Sequence, residues 1–157
     1  MSDKTMPITG GCLCGAVRYE ASEPVIKAGT CHCRACQRFT GSAFSAYVGI
    51  RRSALRFTKG EPRFYVRSSL KERGFCPECG SSLTDRYLAP MHGASNPDNY
   101  WVALGTLDHP ETVTLDFHYG IETQLPWVRF DDELPRTRCD EDPHLAAAFA
   151  SLSDGKD

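Results

Sequence analysis

Seven of the eight cysteines stand in three short clusters whose spacing suits metal binding. The clusters are Cys12 and Cys14; Cys31, Cys33 and Cys36; and Cys76 and Cys79. A thiolate is a strong ligand for Zn²⁺, which takes four sulfur or nitrogen ligands in structural sites. The chain opens without the apolar stretch of a secretory signal, so we expect a cytoplasmic, reducing location in which such cysteines bind metal rather than form disulfides.

The first and third clusters together can supply the four ligands of a closed zinc site. Cys76 and Cys79 lie in a C-P-E-C-G turn, which projects two thiolates from one point and so provides half of a tetrahedron. Cys12 and Cys14 can provide the other half, and the closed site would then stabilise the fold. Two alternatives stay open: Cys76 and Cys79 could pair with the second cluster instead, or form a redox motif, although the helical setting of that motif is not visible.

The second cluster then has three thiolates and no obvious fourth ligand. Three protein ligands and one free position are typical of a catalytic zinc, so we predict that Cys31, Cys33 and Cys36 form a reactive site. His32 or His118 could instead close this site. Iron is an alternative metal, because four-cysteine sites accept both. Cys139 stands in an acidic segment bounded by prolines, and we expect it to be a free surface thiol.

The elements that must position these clusters are mostly β-strands. Short segments of alternating or aromatic residues between glycine and proline turns predict strands, and these segments are 16–20, 43–50, 55–58, 64–66, 82–85, 101–104 and 113–119. Helix is predicted only at 34–39 and at 143–152, where Pro143 begins an alanine-rich segment with Leu145, Phe149 and Leu152 on one side. We therefore expect a mainly β fold of antiparallel sheets with a short C-terminal helix.

Composition and charge exclude several classes of protein. With 157 residues the chain fits one domain, and no apolar run is long enough to span a membrane. The net charge of −2 argues against nucleic-acid binding. Residues 51–74 are locally basic, with eight basic and two acidic side chains. The sequence does not determine the oligomeric state.

Three motifs identify a family. The segments GGCLCGAVRYE at 10–20, CHCRAC at 31–36 and RGFCPECGS at 73–81 resemble signatures of the glutathione-dependent formaldehyde-activating enzymes, also called the centromere-protein-V-like family. The resemblance extends over residues 8–137. It implies a β-tent fold with two zinc ions per chain, a structural one at Cys12, Cys14, Cys76 and Cys79 and a catalytic one at Cys31, Cys33 and Cys36. We therefore expect a short tail at 1–7, a zinc-binding β domain at 8–137 and an acidic tail with a short helix at 138–157.

The resemblance also implies a reaction. The family activity is the addition of the glutathione thiol to formaldehyde, which makes a carbon–sulfur lyase the first hypothesis, with a thiol such as glutathione and a small aldehyde as partners. Arginines of residues 51–74, together with Arg34 and Arg38, could bind the carboxylates of such a thiol. The alternative hypothesis is a non-catalytic zinc-binding module that binds a protein partner.

Overall fold

Two β-sheets form the fold in a computed structural model that describes residues 7–91 and 93–150. The strands are β1 (Ile8–Gly11), β2 (Arg18–Ala21), β3 (Lys27–Cys31), β4 (Ser45–Arg51), β5 (Leu55–Lys59), β6 (Arg63–Val66), β7 (Lys71–Phe75), β8 (Ser82–Tyr87), β9 (Asn99–Ala103), β10 (Phe117–Tyr119) and β11 (Arg136–Thr137). The helices are α1 (Arg34–Thr40) and α2 (Pro143–Ala150). The predicted mainly β class is therefore confirmed. Most of the predicted N-terminal tail, and the predicted helix end at Leu152, lie outside the described residues.

The sheets differ in size. The small sheet has three antiparallel strands in the order β1-β2-β5, and the large sheet has eight in the order β11-β10-β3-β4-β9-β8-β7-β6. Neighbouring strands of the large sheet are antiparallel except at β10, which runs parallel to both β3 and β11. The prediction of antiparallel sheets thus holds for most pairs, and the three parallel strands at one end are the exception.

One face of the large sheet packs against the small sheet, and we call it the core face. Alternate residues of a strand point to opposite faces of the sheet. On the core face, Val48, Leu83 and Val102 form one buried cluster with two residues on the side of the small sheet, Val17 and Tyr19. These side chains are almost entirely inaccessible to solvent. Burial of this apolar surface between the two sheets stabilises the domain.

The opposite face of the large sheet is covered by the C-terminal segment, and we call it the tail face. Leu145 of α2 packs with Leu70 and Tyr87, while Trp101 and Tyr119 border this second apolar cluster. Asp142 begins the helix as an N-cap, because its Oδ1 accepts hydrogen bonds from the amides of residues 144 and 145 at 3.0 and 3.2 Å. The segment at 138–150, called the tail below, therefore packs on the sheet and covers part of it.

One strand prediction needs correction. The alternating segment 113–119 forms a strand only at its last three residues, and a short 3₁₀ turn at Pro110–Thr112 precedes the segment. Among the described residues, no helix has the length and apolar character to cross a membrane.

Candidate metal centres

Four cysteines from two distant turns bring their sulfur atoms together. The sulfurs of Cys12, Cys14, Cys76 and Cys79 all lie within 4.8 Å of one another, and we call this group the four-cysteine site. Cys14 Sγ is 3.6 Å from Cys12 Sγ and 3.9 Å from Cys76 Sγ. Tetrahedral sulfurs with zinc–sulfur bonds of about 2.3 Å are separated by about 3.8 Å. The four thiols therefore have the spacing that zinc requires, and the pairing of the first and third clusters is the one that the structure brings together.

Tight turns position these sulfurs. Gly15 and Gly80 follow the two cysteine pairs with φ of +76° and +77°, a backbone conformation that glycine adopts without strain. The amide of Val17 donates a hydrogen bond to Cys12 Sγ at 3.2 Å. Hydrogen bonds from the side chain and backbone of Ser81 lower the pKa of the Cys79 thiol to about 5. These hydrogen bonds favour the thiolate at Cys12 and at Cys79, the form that binds metal.

The four-cysteine site joins the two sheets. Cys12 follows β1 of the small sheet, whereas Cys76 follows β7 of the large sheet, and both are buried in the core. The Ser81 hydroxyl also accepts a hydrogen bond from the Leu13 amide at 3.0 Å. A metal bound here would therefore cross-link segments that are far apart in the sequence.

The second cluster forms where β3 meets α1. Cys31 ends the strand, Cys33 is the N-cap of the helix, and Cys36 lies in its first turn. Their sulfurs all lie within 4.8 Å of one another, and we call this group the three-cysteine site. Cys33 Sγ accepts a hydrogen bond from the Cys36 amide at 3.4 Å. The strand end and the first helical turn thus aim three sulfurs at one point, as the C-x-C-x-x-C spacing predicts.

The two histidines proposed as fourth ligands face away from the three sulfurs. Thr30 and Cys31 are neighbours in a strand, so their side chains point to opposite faces. Thr30 Oγ1 contacts both imidazoles, at 3.1 Å from His32 Nε2 and 2.7 Å from His118 Nδ1. His118 Nε2 also contacts the carboxylate of Asp132 at 3.0 Å. Both rings are therefore part of a buried network on the core face, and among the residues that the structure describes neither belongs to a group of potential metal ligands.

A fourth sulfur does approach the three-cysteine site, and it belongs to Cys139. The expectation of a free surface thiol is wrong, because Cys139 is half-buried and packs beside the apolar cluster of the tail face. A Cβ atom placed on Gly120 would lie 3.2 Å from Cys139 Sγ and 3.3 Å from Cys33 Cβ, so the Cys139 thiol is close to the three-cysteine site. The cysteine spacing contains no signal for this proximity, which arises from strand pairing far along the chain.

Buried charges lie beside the same site on the tail face. Asp85 is 1% exposed and pairs with Lys71 Nζ at 2.9 Å and with Arg73 Nε at 3.5 Å. Burial opposes the charge on Lys71, but the attraction of Asp85 outweighs it and raises the pKa of Lys71 well above its ordinary value. Both cations also interact electrostatically with Cys36. They offset part of the negative charge that three thiolates bring to a buried position.

One buried hydroxyl in this region has no partner. Tyr47 is 6% exposed, and its hydroxyl makes no hydrogen bond within the described part of the chain. Burial, followed by the charge of Asp85, raises the pKa of Tyr47 well above its ordinary value, and the phenol also interacts with Cys36. Buried polar groups are nearly always hydrogen-bonded in folded proteins. An unpaired phenol next to three clustered sulfurs therefore points to a ligand that binds there.

An open groove runs along α1, the helix that carries Cys36. It has a volume of about 440 Å³, and its lining residues include Arg34, Arg38, Leu125 and Trp127. Trp127 is 71% exposed. Of the basic residues singled out in the sequence, Arg34 and Arg38 thus border the groove, whereas Arg51 pairs with Glu23.

The residues present fit zinc. Both sites consist of soft thiol ligands, which suit zinc among the common metals. The measured sulfur separations in the four-cysteine site match those of a tetrahedral zinc site. Cys31, Cys33 and Cys36 would hold a second ion through three ligands.

Comparisons with known proteins agree with the sequence motifs. A family model described as glutathione-dependent formaldehyde-activating enzyme matches residues 7–121, which include all seven cysteines of the two sites but not Cys139. An uncharacterised lyase of Schizosaccharomyces pombe is 32% identical over 74 residues, which are 47% of this chain and 53% of that protein. The chain thus matches about half the length of this relative. A crystal structure of a Rhodobacter sphaeroides protein, a structural genomics target, is similar with a TM-score of 0.50 and 25% identity over 82% of this chain and 99% of that one.

Proposed function

We propose, from the premise that the chain belongs to the glutathione-dependent formaldehyde-activating enzyme family, that it is a zinc-dependent carbon–sulfur lyase. Its reaction is the reversible addition of a small thiol, such as glutathione, to a small aldehyde, such as formaldehyde. The sulfur forms a bond to the carbonyl carbon, the carbon–oxygen π bond opens, and the proton of the thiol ends on the new hydroxyl oxygen. No electrons are gained or lost overall. The relative named as a lyase supports this class of reaction.

One observation carries the proposal: three clustered sulfurs lie at the end of β3, on the sheet face that also carries the buried phenol of Tyr47. Cys31, Cys33 and Cys36 would hold zinc, and within the described part of the chain the Tyr47 hydroxyl makes no hydrogen bond. A purely structural site does not need a free buried donor nearby. Zinc in this position supplies Lewis acidity, which lowers the pKa of a thiol that binds to it.

The surrounding side chains have separate tasks in this proposal. Arg34 and Arg38 line the groove and bind the carboxylates of the thiol substrate by charge-assisted hydrogen bonds. Tyr47 remains protonated because its pKa is raised, so its hydroxyl can donate a hydrogen bond to the aldehyde oxygen as negative charge develops there. Lys71 and Arg73 stay charged beside Asp85 and stabilise the thiolates of the site.

Exchange NMR with purified, zinc-loaded protein, glutathione and formaldehyde tests this function. We expect the exchange between free glutathione and its hydroxymethyl adduct to be faster than the spontaneous exchange. Cys33→Ser should remove the acceleration and one zinc ion per chain while the fold remains. If the wild-type protein gives only the spontaneous rate, glutathione with formaldehyde is not its substrate pair, and a panel of other thiols and aldehydes then decides whether it is a lyase at all.

A second candidate function has one observation in its favour. Cys139 lies close to Cys33 across Gly120, and a permanent fourth sulfur ligand would make this site structural. The protein would then be a non-catalytic zinc-binding module that binds a protein partner. Under this alternative the protein should not accelerate the exchange between any free thiol and its adduct in the NMR experiment. Added thiols should also leave the metal ligands unchanged.

A further inference from the structure

Strand pairing brings Cys139 to the same edge of the sheet as the three-cysteine site. β3, β10 and β11 are neighbouring parallel strands, in which Cys31 pairs with Tyr119 and Tyr119 pairs with Thr137. Parallel strands end at the same edge of a sheet, so the chain leaves β3 and β11 at the same level. Two residues after Cys31 stands Cys33, and two residues after Thr137 stands Cys139. The register of three strands thus brings the tail cysteine to the three-cysteine site.

Local contacts fix the approach of the Cys139 side chain. Gly120 lies between the two cysteine segments with φ of +69°, and a Cβ atom there would be 3.2 Å from Cys139 Sγ and 2.9 Å from the Cys33 amide nitrogen. The absence of a side chain at this glycine permits the close approach. The Cys139 amide donates a hydrogen bond to Glu122 Oε2 at 3.0 Å, which holds the backbone in place.

Contacts further along the tail anchor the whole segment to the sheet. The Tyr119 hydroxyl donates a hydrogen bond to Asp142 Oδ2 at 2.7 Å. Leu145 is 6% exposed and packs on the tail face. Cys139 is therefore held near the site by strand pairing before it and by a packed helix after it.

We propose that Cys139 is a displaceable fourth ligand of the metal at the three-cysteine site, so that the tail competes with the substrate thiol. The Cys139 sulfur lies close to Cys33 across Gly120, but it is not part of the group whose sulfurs all lie within 4.8 Å of one another. It therefore borders the cluster rather than belonging to it. Competition with substrate rests on the proposed function, whereas ligation by Cys139 does not.

The exchange of ligands balances without a further reactant. As a ligand, Cys139 would leave the metal when the substrate sulfur takes its position, so one metal–sulfur bond would break and another would form. The proton of the substrate thiol would pass to the Cys139 sulfur, and no electrons would be transferred. During the addition this proton would pass to the aldehyde oxygen, which becomes the product hydroxyl, and Cys139 would return to the metal when the product leaves.

Cobalt substitution tests whether Cys139 is a ligand. In protein loaded with Co²⁺ at both sites, Cys139→Ala should lower the sulfur-to-cobalt charge-transfer absorption by about one eighth, since one of eight sulfur ligands is lost. Asp140→Asn is the matched control, because it alters the neighbouring exposed residue and leaves the sulfur in place; its absorption should equal that of the wild type. Equal absorption in Cys139→Ala and the wild type would overturn the proposal.

Alkylation of the wild-type protein tests whether the ligand is displaceable, and it needs no variant. With zinc bound, iodoacetamide should modify Cys139 slowly. Added glutathione should increase that rate at least about tenfold, because glutathione at about 10 mM matches the mM effective concentration of the tethered Cys139 thiol with which it competes. The other seven cysteines should stay protected. If glutathione leaves the rate at Cys139 unchanged, the sulfur is not displaced and the competition is refuted.

Kinetics separate this proposal from the proposed function. If the tail competes, Cys139→Ala lowers the KM for glutathione by about threefold to tenfold and leaves kcat unchanged. A fall in cobalt absorption without any catalysis would keep Cys139 as a ligand and remove the lyase. Catalysis with the same KM and the same cobalt absorption in both proteins would keep the lyase and remove the role of Cys139.

Discussion

Replacing Cys76 by serine should unfold the domain, because the four-cysteine site joins the two sheets. Cys14 and Cys76 lie 62 residues apart in the sequence. A cross-link that closes a loop of this length stabilises the folded chain by about 4 kcal/mol through the entropy of the unfolded state. Structural zinc contributes about 10–16 kcal/mol in small zinc-binding peptides. Either value is a large part of the roughly 5–15 kcal/mol by which a domain is stable.

Cys33→Ser is the matched control, since it removes the same chemical group from the other site. The ligands Cys31, Cys33 and Cys36 span six consecutive residues, and a cross-link over so short a loop is worth only about 2 kcal/mol. The backbone there is already held by the pairing of β3 with β4 and by α1. We expect this variant to lose one zinc ion and to stay folded.

Urea unfolding followed by circular dichroism, together with zinc analysis of each variant, measures the difference. Cys76→Ser should show no native baseline or a midpoint far below that of the wild type, and Cys33→Ser should show a native baseline and a modest decrease. Chelation of zinc from the wild type should reproduce the Cys76→Ser result. The division into a structural and a reactive site is refuted if the two variants lose equal stability, or if Cys76→Ser keeps the wild-type midpoint.

Four further substitutions test individual side chains. Arg38→Ala should raise the KM for glutathione about tenfold through loss of a charge-assisted hydrogen bond. Arg51→Ala is the control, because this residue lies away from the groove, and its KM should not change. Equal effects of the two variants in steady-state kinetics would count against carboxylate binding by Arg38. Tyr47→Phe should lower kcat by about 100-fold. The melting temperature should not fall, because the lost hydroxyl has no hydrogen-bond partner among the described residues. An unchanged kcat excludes hydrogen-bond donation by Tyr47 to the aldehyde oxygen. Asp85→Asn should cost about 3–5 kcal/mol in urea unfolding, because it leaves two buried cations unpaired, and a loss below about 1 kcal/mol would contradict that. Gly120→Ala should cost about 1–3 kcal/mol from backbone strain and alter cobalt absorption; a wild-type spectrum would refute the close approach to Cys139.

Local features of the sequence predicted much of the fold and the grouping of seven cysteines. The C-x-C and C-P-x-C-G turns depend only on neighbouring residues, so their geometry follows from short segments of chain. The same holds for the short helix after Cys33 and for the helix that begins at Pro143. Alternation likewise predicted the strand β5, and the continuous apolar segment at 101–104 predicted β9.

Features that depend on long-range pairing could not be predicted in this way. The segment 113–119 alternates throughout, yet only Phe117–Tyr119 pairs in register with β3 and β11, and alternation carries no information about where partner strands lie. Cys139 has no motif around it, and its position follows from the register of β10 with β11. The basic segment did not predict that Lys71 and Arg73 form ion pairs within the fold. Their partner, Asp85, lies on the next strand, and its charge makes their burial possible.

Strand register also determines which side chains can take part in chemistry at the three-cysteine site. In β4, Val48 packs in the core, whereas its neighbour Tyr47 lies on the tail face with Cys31. A shift of one residue would exchange the two faces. It would place a phenol among apolar side chains and an apolar side chain next to the sulfurs. The cysteine motif can therefore hold a metal in many sequences, but the residues that could act on a bound substrate are set by the pairing of β4 with β3 and β9. Comparison with relatives should for this reason include the residue at the position of Tyr47 and not only the cysteine positions.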